Sequence, residues 1–280
     1  MQLRKLRDAR SEWVPGFERT SRVFDGFRPI VERISSHAEW PSIDALSAVV
    51  RAEAEARGAS APRMVLQGPR KRGPRDRASL YDAQIVERGE VPTRERHWHD
   101  TMNALVWAAF PKAKQALHER QYRALCAAVD ERFDAIPGAR SKEHDAIAML
   151  DEGGVLVLAE RHVAVAIERA LQQLDPRPLE AAVRAREAAL WTFGHGILES
   201  VLLAQTLPRT QAFACVLCCD NVRGDQQVAR EIADEVAARA LASGDAPTRS
   251  RPLPSLMLSE AWLEQLNAPS AHEACVEPGH

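Results

Sequence analysis

The stretch His97-Trp98-His99-Asp100-Thr101-Met102-Asn103 brings two imidazoles, a carboxylate and a carboxamide together in a short amphipathic segment that runs on to Phe110. These are side chains that bind metal ions and move protons. On a helix, residues four apart share a face, so His99 and Asn103 point together, while Asp100 lies on a neighbouring stripe with Ala104 and Trp107. His195 and Glu199 repeat that spacing further along the chain. Gly194 and Gly196 flank this histidine, which lets another chain or a ligand come close. Asp151 and Glu152 head the run Asp151-Glu152-Gly153-Gly154, which reads as a tight turn feeding a buried strand.

Brought together, His99, Asp100, His195 and Glu199 would form a site for a divalent metal ion. Asp151 or Glu152 would activate water, and Asn103 would orient the substrate or His99. A hard or borderline ion held this way suits hydrolysis, so the expected function is a metal-dependent hydrolase of a phosphorylated or nucleic-acid substrate. The alternative is a structural hydrogen-bond network in which Asp100 caps its helix, His99 bonds a backbone carbonyl and Glu199 pairs with an arginine. The chain would then be a non-catalytic protein that binds a protein or nucleic acid through its basic half. His99-Asp100 also matches the dipeptide of the all-helical metal-dependent phosphohydrolases. That class needs an earlier helical histidine, and His37, just before Trp40-Pro41, sits in a poor helical context.

The elements that must position these groups follow from periodicity and punctuation. Residues 11–41 mix aromatics with Pro and Gly, which suggests short helical turns wrapped onto a core. Ser42 is an expected N-cap for a helix over 43–57, closed by Gly58. Residues 63–67 read as a short strand and 68–77, with Arg70, Lys71, Arg72, Arg75 and Arg77 among prolines, as a loop that either contacts phosphates or is merely solvated. A helix is expected over 79–88, then an extended lead into the central motif, where Asp100 or Thr101 caps a helix to Phe110. Pro111 opens the next helix, to about Phe133, and Ser141 another, to Leu150. Val155-Leu156-Val157-Leu158 and residues 212–219 read as buried strands. Helices are expected over 160–174, 178–191, from the Phe193-Gly194-His195 motif to about Ala204, and over 226–241. The expected fold is α+β, predominantly α-helical, with two or three short buried strands. It is expected to form a single globular domain over 1–280, with 246–280 a loosely packed tail.

Composition narrows the class. The chain has 280 residues, 45% apolar and 27% charged, as in ordinary globular proteins. No apolar run approaches the ~20 residues of a membrane span, and the first ten residues have no apolar signal core, so the expected location is cytoplasmic, with no membrane partner. Five cysteines, three of them in one apolar run, point to thiols in a core strand and not to a disulfide framework. Residues 1–140 carry 25 Lys and Arg against 19 Asp and Glu, and residues 141–280 carry 12 against 20. Only five of the 37 basic residues are lysine, a bias that abundant alanine ties to base composition, so it does not argue for nucleic-acid binding.

Several landmarks occur in one order: Val91-Pro92-Thr93-Arg94, Trp98-His99-Asp100, Asn103-Ala104-Leu105-Val106-Trp107, Phe110-Pro111-x-x-Lys114, the run from Asp151 to Leu158, and Phe193-Gly194-His195. Together they resemble the bacterial domain-of-unknown-function family 3025, over about residues 60–220. The resemblance implies that these blocks belong to one fold. Its pattern has Asn where this chain has His97, which argues against His97 as a ligand. It implies no activity.

Overall fold

The computed structural model describes residues 12–34, 39–68, 80–128, 142–204, 207, 209–222, 225–245 and 253–267. After two 3-10 turns, the chain forms α1 (Arg28–Ile34), α2 (Ile43–Ala56), β1 (Arg63–Leu66), α3 (Tyr81–Arg88), β2 (Glu90–Thr93), α4 (Trp98–Ala109) and α5 (Pro111–Ala128). There follow α6 (Lys142–Gly153), β3 (Gly154–Glu160), α7 (Arg161–Gln172), α8 (Arg177–Arg184), β4 (Ala188–Thr192) and α9 (His195–Ala204). The last elements are β5 (Thr210–Cys219), α10 (Gln226–Ser243), β6 (Ser255–Leu258) and α11 (Glu260–Asn267). The class is α+β and predominantly helical, and the described strands number six. No described helix is long and apolar enough to cross a membrane.

The strands form two sheets. β1 and β2 pair in parallel, and a second sheet has the order β4-β3-β5-β6. At its centre β3 runs parallel to β5, with Leu156 opposite Cys215, and antiparallel to β4, with Leu156 opposite Trp191. Residues 154–159 are all buried, as a strand covered on both faces requires.

Helix α4 is the other central element. From Thr101 to Ala109 every residue is buried, and a helix that is apolar nearly all round belongs inside a core. His97 is its N-cap residue, and Asp100 falls within the first turn, so neither Asp100 nor Thr101 caps it as expected. Pro111 occupies the first position of α5, where its missing N–H costs nothing.

That end of α5 is capped from a distance. Asp234 on α10 accepts from the Lys112 and Ala113 backbone N–H groups at 3.2 and 2.8 Å. Burial outweighs these bonds and pushes the Asp234 carboxyl up to about 6. An acid whose folded pKa exceeds its unfolded value of about 3.9 takes up a proton on folding, so its contribution falls as pH rises between those values, by on the order of 2–3 kcal/mol. Asp234→Asn lacks this titration. Relative to the wild type, the variant is expected to gain that amount between about pH 4 and pH 7, read from urea midpoints. Parallel pH profiles for the two proteins would exclude it.

Several expectations are corrected. Residues 188–191, expected as the end of a helix, form β4, because Arg186 turns the chain at φ 60° and the segment pairs with β3. The Asp151–Gly154 turn is instead the last turn of α6 joined directly to β3. The described part of the tail, 253–267, is no loose strap: β6 pairs with β5, and Leu256, Leu258, Leu263 and Leu266 are buried. Of the three clustered thiols only Cys215 is buried, since alternation along β5 leaves Cys218 exposed and Cys219 half-buried. The early aromatics do wrap onto the core, with Trp13 stacked on Trp98 at 4.8 Å. The basic loop lies largely outside the described residues, as do Phe133, His37, Ser141 and Cys275.

Candidate functional site

Three elements meet at one point: the first turn of α4 with His99, the end of α6 with Asp151 and Glu152, and the start of α9 with His195 and Glu199. Backbone contact makes the meeting possible, because Gly194 donates its N–H to the Gly154 carbonyl at 2.8 Å. His99, Glu152 and His195 each offer one ligand atom, and these atoms lie within 4.8 Å of one another. The two Nε2 atoms are 3.0 Å apart. Glu152 places one carboxylate oxygen 3.9 Å from His99 Nε2 and the other 3.5 Å from His195 Nε2.

The opposite ring nitrogens face carboxylates. His99 Nδ1 donates to Glu199 at 3.0 Å, since an ionised carboxylate only accepts. This bond raises the His99 pKa against the effect of burial, with Glu152 adding to the rise. His195 Nδ1 lies 3.8 Å from the Asp151 carboxylate without a hydrogen bond of its own. Burial pushes the His195 pKa down to about 3, Asp151 only partly opposing it. Glu199 holds the His99 proton on Nδ1, which leaves the His99 Nε2 lone pair facing His195 Nε2, with Glu152 alongside. The two atoms can be joined by a proton on His195 Nε2 or by a metal ion held between them.

Asp151 is fixed from behind. Lys114, wholly buried on α5, donates to it at 2.5 Å. Burial alone would raise the Asp151 pKa, but Lys114, with His195 and His118, holds it well below the usual carboxylate range. Glu152 is the most open member, its side chain 56% exposed, and burial of the rest raises its pKa.

Not every expected group joins. Asp100 is engaged by Arg94, which gives it two side-chain bonds at 2.9 and 2.7 Å and a backbone N–H at 2.6 Å. Burial would raise the Asp100 pKa, and this pairing lowers it. Asp100 thus braces the entry to α4 and is not among the residues grouped to hold an ion. Asn103 donates to the Tyr81 hydroxyl at 2.9 Å. Sequence reasoning missed Lys114, His118 and Asp82. Lys114 and His118 stand one turn apart among Ala113, Ala116 and Leu117, polar positions on an apolar stripe that could have drawn notice.

The chain belongs to a family described as Protein of unknown function (DUF3025), whose model matches residues 69–270 and so takes in every group just described. No curated protein and no solved structure matches the chain.

Proposed function

We propose that His99, His195 and Glu152 bind a divalent metal ion and that the protein is a metal-dependent hydrolase, with a phosphoester as the substrate class. The observation that carries this reading is the pair of Nε2 atoms at 3.0 Å, each ring backed by a carboxylate, with Glu152 beside both. Ligand atoms on a tetrahedral zinc with bonds of about 2.0–2.1 Å stand about 3.3 Å apart; the two Nε2 atoms are 3.0 Å apart, and one ligand atom from each of the three residues lies within 4.8 Å of the others. Roles then shift from the sequence expectation. Glu152 is a ligand, while Glu199 and Asp151 orient the two rings, as carboxylates do behind metal-bound histidines. An ion held by these residues would supply an activated water as nucleophile near neutral pH. The exposed side of Glu152 is the proposed way in for substrate.

The test is the metal content of untagged protein prepared without chelator, beside a His99→Ala/His195→Ala variant. Near-stoichiometric metal in the wild type, lost in a still-folded variant together with any phosphoester hydrolysis, supports the reading. No metal in either after loading and dialysis sinks it, and the imidazole pair is then bridged by a proton. Glu199→Gln tests the orienting role: metal affinity is expected to fall about 10–100-fold, measured by competition with a chromophoric chelator. An unchanged affinity would take Glu199 out of the centre.

A further inference from the structure

Behind the imidazole pair, helices α3, α4 and α5 enclose polar atoms for which the metal centre has no use. Lys114 gives one N–H to Asp151, and two ammonium hydrogens remain. The indole Nε1 of Trp107, Oδ1 of Asn103 and Nε2 of His118 are all buried without a hydrogen-bond partner among the described residues. Buried polar atoms are almost always paired, by protein or by ordered water. Three orphans in one neighbourhood therefore ask for one explanation.

They are close neighbours. His118 follows Lys114 by one turn on α5, and Trp107 follows Asn103 by one turn on α4. The Trp107 ring lies flat on the His118 imidazole, with centroids 5.4 Å apart and planes 9° apart. Lys114 Nζ stands 5.7 Å from the centre of the Trp107 ring. Tyr81, which accepts from Asn103, meets His118 edge-on at 5.6 Å. His118 gives its Nδ1 hydrogen to Asp82 at 2.9 Å, which leaves Nε2 as an acceptor in the neutral ring.

The inventory is two donors, the Lys114 ammonium and the Trp107 indole, and two acceptors, Asn103 Oδ1 and His118 Nε2. A cation would meet repulsion from the donors, and an anion would meet it from the two lone-pair groups. A small molecule that accepts twice and donates twice satisfies all four. We propose that one internal water molecule occupies this site, accepting from Lys114 and Trp107 and donating to Asn103 and His118. Buried waters characteristically make two to four such bonds. This water joins the Lys114–Asp151 pair behind His195 to the Asp82–His118 pair, and so ties α3 to the helices that carry the imidazoles. Asn103 serves that frame.

A high-resolution crystal structure of the full chain tests it, together with nitrogen NMR of the imidazoles. The expected result is a single water-sized peak about 2.7–3.2 Å from all four atoms, with the His118 proton on Nδ1. A Trp107→Phe/Asn103→Leu variant, which removes one donor and one acceptor, is expected to lose the peak. An empty site, a larger or ionic species, a proton on His118 Nε2, or a peak that survives the double substitution would each overturn the proposal. If that variant fails to fold, the wild-type density and tautomer still decide.

Discussion

Replacing Lys114 by methionine is expected to destabilise the protein by about 3–5 kcal/mol, the usual cost of leaving one member of a buried ion pair alone. Methionine keeps the length of the side chain and removes its charge. Asp151 would then hold an ionised carboxylate in the interior without its ammonium partner. Since domains are stable by only about 5–15 kcal/mol, the loss is a large fraction of the whole. The double substitution Lys114→Met/Asp151→Asn is expected to recover most of it, because deleting both charges of a buried pair is often nearly neutral. The pH dependence has a definite sign. A carboxyl held below its ordinary pKa stabilises the fold above the carboxylate range and loses that contribution as pH falls. The gap between wild type and Lys114→Met should therefore narrow in acid. Urea midpoints of the three proteins at two pH values check both statements, and a single variant within about 1 kcal/mol of wild type would show that Lys114 and Asp151 do not form a desolvated pair.

How much of this is legible in the sequence depends on the range of the interaction. Local signals served well: Ser42 accepts from the Ala45 N–H and Gly58 follows with φ 61°, so that α2 begins and ends where its capping residues stand. The unbroken apolar run at 155–158 became the centre of a sheet. Strand β4 was hidden because the preceding residues, rich in Ala, Arg and Glu, carry helical propensity, and only pairing with β3 decides otherwise. The site divides in the same way. Equal spacing within α4 and α9 marked His99, His195 and Glu199 as chemically unusual, and these three do meet. The partners of Asp100 and Asp151 were beyond reach. One is an arginine on the extended segment before α4, the other a lysine on a different helix, and no periodicity within a helix reports contacts across two. The swap of Glu152 for Asp100 in the proposed ligand set follows from that.

Gly194→Ala is expected to abolish the site along with much of the stability. A methyl group at position 194 would lie 2.5 Å from the Gly154 nitrogen and 2.6 Å from both the Glu152 carbonyl oxygen and the Gly153 nitrogen. Those are backbone atoms of the junction between α6 and β3, which cannot rotate aside as a side chain would. Overpacking in cores costs typically about 1–3 kcal/mol, and a clash with three main-chain atoms belongs at or above the top of that range. The glycines beside His195 suggested from sequence that another chain comes close there, and the chain that does so is the one carrying Asp151 and Glu152. Gly196→Ala makes a graded comparison. Its added methyl would meet the Glu152 carbonyl oxygen at 2.8 Å and the end of the Glu152 side chain at 2.9 Å, and the side chain, at least, can move. Gly196→Ala is expected to be the milder of the two, remaining folded with Glu152 displaced and metal uptake weakened, while Gly194→Ala is expected to be recovered in poor yield with a much lower melting temperature. Equal and near-native melting of both variants would mean that α9 can slide along the α6–β3 junction, and that the 3.0 Å approach of the imidazoles is not fixed by the backbone beneath them.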